Sequence, residues 1–209
     1  MTQTALHRRG LLAATLLAAA GLPLCARGAE APAVIAPIQQ LYDGLMVVMR
    51  MGPGSPFQQR FERLAPVVET TFDLDSVLQV SVGPLWGSLP PDQQELLRAA
   101  FRRYTVASYV NSFDSFDGQR FEVSPQLRSL ANGEQVVHSR IVPARGESHA
   151  LDYVMRQEPQ RWRAVDVLLD GTISRVAVQR SDFRGLLRNG GAVALAKSLQ
   201  TKTADLSGG

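Results

Sequence analysis

The hydrophobic repeat of this chain switches from helical to strand spacing at Asp117-Gly118, and that change restricts the class of fold more than any other feature. Before it, apolar residues recur at three- and four-residue intervals, the spacing of a helix face. After it, segments 119–124, 134–142, 148–157 and 161–169 alternate as strands do.

The helical part subdivides at its breakers. Residues 37–51 place Ile38, Leu41, Tyr42, Leu45 and Val48 on one face. Gly52-Pro53-Gly54-Ser55-Pro56 ends that run, with Ser55 expected to cap the next helix and Pro56 to open it. The second helix covers 57–71. Asp73 starts a short third one that Gly83-Pro84 stops. Leu89-Pro90-Pro91-Asp92 opens what reads as the longest helix, reaching Phe116, with Leu97, Phe101, Tyr104 and Ser108 on one stripe. Beyond the strands, 173–188 and 192–202 read as helices separated by Asn189-Gly190-Gly191. Helices, a meander and helices again specify an α+β fold: an antiparallel sheet of about four strands with helices on one face.

The turn at 143–147 sets a register. If Val142 pairs with Ser148, Val137, Ser139 and Ile141 lie across from Tyr153, Leu151 and His149 on an apolar face. Glu134, His138, Arg140, Asp152 and Arg156 take the opposite, wet face, and Val165, Val167 and Leu169 extend the apolar one.

Composition enters through the N-terminus. His7-Arg8-Arg9 precedes an uncharged run, Gly10 to Leu24, and Ala26-Arg27-Gly28 carries small residues around a cleavage point after Gly28. This is the layout of an export signal over 1–28, by the general or the twin-arginine route. An uncleaved anchor is the competing reading. The run is shorter than the roughly 20 residues of a comfortable span. The chain has 22 Lys and Arg against 19 Asp and Glu; loss of Arg8, Arg9 and Arg27 leaves 19 against 19. A neutral mature chain lacks the basic surface that nucleic-acid binding requires. Cys25, the single cysteine, leaves too, which excludes disulfides, a thiol nucleophile and a thiolate metal site. The remaining ~180 residues suffice for one domain, assigned to 29–203. Residues 29–34 read as an Ala/Pro linker and 204–209 as a disordered tail.

Catalytic chemistry is poorly supplied. His138 and His149 are the only mature histidines, and the register sends them to opposite faces. His138 opposite Asp152 reads as a cross-strand pair before it reads as an acid–base dyad. Asp73 and Asp75 read as helix-start residues, and Asp166 as an ion-pair partner. No metal ligand set or cofactor fingerprint is present, so no cofactor is expected.

Several strings occur together in order: Phe72-Asp73-Leu74-Asp75, Gly83-Pro84-Leu85-Trp86, Leu89-Pro90-Pro91-Asp92-Gln93-Gln94, Ala100-Phe101-Arg102-Arg103-Tyr104, Trp162-Arg163-Ala164-Val165-Asp166-Val167, and Arg180-Ser181-Asp182-Phe183. The set resembles the MlaC-type, toluene-tolerance family of periplasmic phospholipid-binding proteins over about 36–200. Phe113-Asp114-Ser115-Phe116-Asp117-Gly118 and Asp170-Gly171-Thr172-Ile173-Ser174 are most similar to its hopanoid-biosynthesis-associated branch, HpnM.

The resemblance implies a curved sheet and helices enclosing an elongated apolar cavity, with lipid tails inside and the head near solvent. It implies a periplasmic carrier, a monomer, of phospholipid or hopanoid-type lipid. Its partners would be an ABC transporter with an MCE-domain component, or an RND-type exporter, in the inner membrane, and an outer-membrane complex. Burial of lipid chain is worth about 0.8 kcal/mol per methylene, which needs no catalyst. The expected lining is Leu97, Phe101, Tyr104, Val137, Ile141, Leu151, Tyr153, Val165 and Val167. Trp86 and Trp162 are expected to be packing anchors, and Arg102, Arg103 and Arg140 are candidate docking residues. A periplasmic adaptor that binds no lipid, and a lipid-modifying enzyme using His138 and Asp152, are the rival readings.

Overall fold

A computed structural model describes residues 27–208. Of the expected leader over 1–28, residues 1–26 lie outside the described residues. The helices are α1 (Arg27–Met51), α2 (Phe57–Thr71), α3 (Leu74–Val82), α4 (Pro91–Ser112) and α5 (Arg175–Leu206), with a 3-10 segment at Gly83–Ser88. The strands β1 (Arg120–Ser129), β2 (Gln135–Val142), β3 (His149–Gln157), β4 (Trp162–Leu169) and β5 (Ile173–Ser174) form one antiparallel meander in chain order. The α+β architecture is as expected, with five strands in place of four. No described helix is long and apolar enough to cross a membrane.

Two apolar cores hold the fold. In the first, Val34, Ile38, Leu41 and Leu45 of α1 and Leu64 and Val68 of α2 pack onto Val137, Tyr153, Met155, Trp162 and Ala164 of the sheet. The second lies among α3, α4 and α5, where Leu78, Leu97, Phe101, Phe183, Leu195 and Leu199 meet. The first core explains why residues 29–34 are helical and not a linker. An internal proline costs a helix about 3 kcal/mol, and Pro32 and Pro37 both lie inside α1. Burying Val34, Ile35 and Ile38 returns ~1.5–3 kcal/mol each.

Other boundaries move for local reasons. Ser55 does not cap α2; its hydroxyl donates to the Met51 carbonyl at 2.8 Å and closes α1 instead. Asp73 does cap α3, accepting from the Ser76 amide at 3.1 Å. α4 stops at Ser112, short of Phe116, because Phe113 turns inward against Tyr109 and Phe121, and α1 and α5 are both longer. β1 continues past its expected end at 124 by carrying Pro125 in an irregularity between Val123 and Leu127, which an edge strand tolerates. Ile173-Ser174 pairs with Leu169 and Leu168 before α5 begins. Gly191, at φ 63 and ψ −160, kinks α5 where a break was expected. Residues 204–206, assigned to a disordered tail, continue α5, with Thr203 buried just before them and its hydroxyl donating to the Leu199 carbonyl at 2.8 Å.

The β2–β3 register is the expected one: Val137 pairs with Tyr153, Arg140 with Ala150 and Ile141 with His149. β4 breaks its own alternation. Val154 pairs with Asp166, but Met155 pairs with Ala164, so Val165 is the extra residue of a bulge. On one side of it Val167 opposes Tyr153; on the other Ala164 and Trp162 take over the inward face.

Candidate functional site

Where the two cores meet, the apolar face of the sheet and the C-terminal half of α4 do not close on each other. They leave a pocket of about 320 Å³. This lies at the small end of the roughly 300–1,000 Å³ typical of ligand sites. Ile141, Leu151, Tyr153, Val167 and Leu169 form the sheet wall. Tyr104, Thr105, Ser108, Tyr109 and Ser112 of α4 form the facing wall. Phe72, Leu74 and Val77 come from the α2–α3 corner, and Arg175, Val176 and Gln179 from the first turns of α5.

Six aromatic rings close into a loop beside this space. Tyr42 stacks on Phe121 at 4.3 Å, Phe121 meets Phe113 at 5.8 Å, and Phe113 meets Tyr109 at 6.0 Å. Tyr109 then meets Phe72 at 5.6 Å, Phe72 meets Tyr153 at 6.2 Å, and Tyr153 returns to Tyr42 at 6.0 Å. Offset and edge contacts at these distances add to the burial of each ring. Phe72, Tyr109, Phe113 and Tyr153 turn one side of the loop toward the pocket. Tyr42 bonds its hydroxyl to Ser139 at 2.5 Å, and the Ser139 hydroxyl in turn donates to the Leu151 carbonyl.

Burial pushes the Tyr42 and Tyr153 phenols above their ordinary value of 10.0; for Tyr153 the rise is large, and the neighbouring tyrosines add to it. The unfolded chain loses these protons near pH 10 while the folded chain keeps them. Above that pH the unfolded state therefore binds fewer protons, and stability falls as pH rises. We expect the melting temperature to hold up to about pH 9 and to drop steeply above about pH 10. Tyr153→Phe should flatten that drop in a thermal-melt pH series; an unchanged slope would remove Tyr153 from this role.

The sheet and α5 are joined by Asp166. Its Oδ1 accepts from the amides of Val167 at 2.7 Å and Val176 at 3.1 Å, and its Oδ2 accepts from the Ser174 hydroxyl. Asp166 was expected to be an ion-pair partner. It forms none among the described residues and is instead the clasp that holds β4, β5 and the start of α5 together.

Of the residues expected to line a chamber, Tyr104, Ile141, Leu151, Tyr153 and Val167 are brought together in this pocket. The other four lie elsewhere. Val137 is fully buried in the first core, and Leu97 and Phe101 are fully buried in the second. Val165 is taken out of the face by the bulge. Thr105, Ser108, Tyr109, Ser112, Arg175 and Gln179 were not anticipated. The α4 residues carry a sequence signal, since 105/109 and 108/112 are pairs one helical turn apart. Arg175 and Gln179 carry none, because only the tertiary fold sets them against α4.

The remaining candidates have other surroundings. His138 Nδ1 lies 2.7 Å from Asp152 Oδ2 on the sheet face away from the pocket. On that face Arg140 pairs with Glu122 at 2.6 Å and Arg156 with Glu134 at 2.8 Å. Arg102 pairs with Glu69 at 2.5 Å, and Arg103 lies over the Phe61 ring at 5.6 Å. Trp162 is buried in the first core, while Trp86 packs at the rim of the second under Arg98 at 5.1 Å. Among the described residues no group of His, Cys, Asp and Glu is arranged to hold a metal ion.

The fold is similar to that of a phospholipid-binding protein from Ralstonia solanacearum, solved in complex with a phospholipid. The match has a TM-score of 0.71 at 21% identity and covers 83% of this chain and 98% of that one. No curated protein sequence matches. The family model described as MlaC protein matches residues 39–201, a span that includes the second core, most of the first, the sheet and the whole pocket wall; the chain belongs to the MlaC family.

Proposed function

We propose that this protein is a periplasmic lipid carrier that shelters an acyl chain in the pocket between its two cores and ferries it between inner-membrane transport machinery and the outer membrane. The observation that carries the reading is the pocket itself. Apolar side chains of the sheet, Ile141, Leu151 and Val167, are left only partly covered by protein beside an aromatic wall. Exposed apolar surface of this kind is costly to keep open to water and is worth about 25 cal/mol per Å² when a ligand covers it.

Phospholipid is the first ligand class, supported by membership of the MlaC family and by the phospholipid held in the Ralstonia solanacearum neighbour. Segments 113–118 and 170–174 resemble the hopanoid-associated branch, which makes a hopanoid-type lipid the second class to be sought. The proposed lining is the pocket subset Tyr104, Ile141, Leu151, Tyr153 and Val167. The partners follow from the family: an MCE-domain/ABC or RND-type transporter and an outer-membrane complex, engaged by a monomer exported with a cleavable leader. The adaptor reading is disfavoured by a pocket that a packed core would not contain. The enzyme reading is disfavoured because His138 and Asp152 lie across the sheet from it.

Native mass spectrometry with lipid extraction tests the reading on protein purified from its own periplasm. A stoichiometric lipid adduct is expected, and its mass separates phospholipid from hopanoid. A bare mass, together with no uptake from labelled vesicles, would overturn it.

A further inference from the structure

We propose that Thr105, Tyr109, Arg175 and Gln179 form a phosphate site at the edge of the pocket, placed to hold the head of a phospholipid whose chain lies against the sheet. The four residues line one pocket from two facing helices. Thr105 and Tyr109 lie one turn apart on α4, and Arg175 and Gln179 lie one turn apart on α5.

Each presents a hydrogen-bond donor that the described residues leave unused. Thr105 Oγ1 is buried with no partner. An orphaned hydroxyl in a buried position is costly, and a ligand acceptor would relieve that cost. The Tyr109 hydroxyl has no hydrogen-bonding partner among the described residues, and the Arg175 charge lies near enough to act on it. Arg175 is exposed and enters no ion pair among the described residues. Gln179 accepts from the Ser81 hydroxyl through Oε1 at 3.3 Å, which leaves its amide N–H groups to donate.

The one carboxylate in the pocket, by contrast, is already engaged. Asp166 is the only carboxylate among the described residues that line the pocket, and its two oxygens accept from two backbone amides and Ser174. Donors without acceptors, one of them a guanidinium, complement an anion with several oxygens. A phosphate fits this description, and a guanidinium binds it with two parallel hydrogen bonds. The apolar wall of Leu151, Val167 and Leu169 in the same pocket accounts for a chain attached to that phosphate.

This site rests on the lipid reading above, and one experiment separates the two. The full chain, stripped of lipid, is mixed with vesicles carrying tail-labelled phosphatidylglycerol or diacylglycerol with the same tails. Inorganic phosphate is titrated separately by calorimetry. Wild type is expected to take up phosphatidylglycerol in preference to diacylglycerol. Arg175→Gln should lower phosphatidylglycerol uptake about tenfold and leave diacylglycerol uptake unchanged, since a hydrogen bond to a charged group is worth about 1.5–3 kcal/mol. Tyr109→Phe with Thr105→Val should act in the same direction. Equal loss for both lipids, or no loss in Arg175→Gln, would overturn the phosphate site and leave the carrier reading standing. If wild type takes up neither lipid, the carrier reading fails. Saturable phosphate binding that Arg175→Gln abolishes would then sustain the site for a water-soluble phosphate, and its absence would overturn the site as well.

Discussion

Val167→Trp is expected to abolish lipid uptake while leaving the protein folded. Val167 stands opposite Tyr153 on the sheet and forms part of the pocket wall, only partly buried by protein. An indole there projects into a space of about 320 Å³ and takes volume that a chain would occupy. Displacing three or four methylenes forfeits ~0.8 kcal/mol each. The loss is therefore ~3 kcal/mol, or about a hundredfold in affinity. A tightly packed core would respond differently, because added bulk there costs about 1–3 kcal/mol of stability. Melting temperature and vesicle uptake measured on the same preparation decide between them. A lowered melting temperature with undiminished uptake would place Val167 in packed core and remove it from the site.

The three strands that build this wall differ in how legible they were. Tyr153, Leu151 and Ile141 could be placed on one face because the 143–147 turn pins β2 to β3, and a period of two then propagates without error. β4 could not be read the same way. Its sequence, Trp162 to Leu169, contains no glycine or proline to mark the bulge. The bulge answers a tertiary demand, since Ala164 also bridges to Phe72 at the end of α2, and the Asp73 amide donates to its carbonyl at 3.0 Å. Val165 thus alternates correctly by sequence and still leaves the face.

A similar division runs along α4. Leu97, Phe101, Tyr104 and Ser108 do share a stripe, as their spacing dictates. Spacing says which residues point together and not what they point at. The first half of that stripe meets α5, a helix beginning some seventy residues later, and the second half meets open pocket. The same blindness hid Arg175. Nothing near it in sequence sets it against Tyr109. Its position comes from Asp166, which ties the α5 start to β4 through the Val176 amide. The strand face that could be read and the α4–α5 neighbours that could not therefore have one cause. Local periodicity fixes faces, whereas the pairing of distant elements fixes neighbours.

Phe101 puts that distinction to its sharpest test. Its ring meets Phe183 edge-on at 6.3 Å and is 1% exposed, enclosed by the second core. Phe101→Ala should remove packed apolar volume without touching the pocket, costing ~3–5 kcal/mol of stability. For a domain of this size each kcal/mol shifts the melting temperature by about 2–4 °C, so a fall of about 6–20 °C is expected. Lipid affinity per folded molecule, measured well below the transition, should match wild type. The reverse result, intact stability with lost uptake, would mean that the chamber extends past Tyr104 into the space between α4 and α5. Leu97 and Phe101 would then belong to the lining after all, and the boundary drawn here between the second core and the pocket would be wrong.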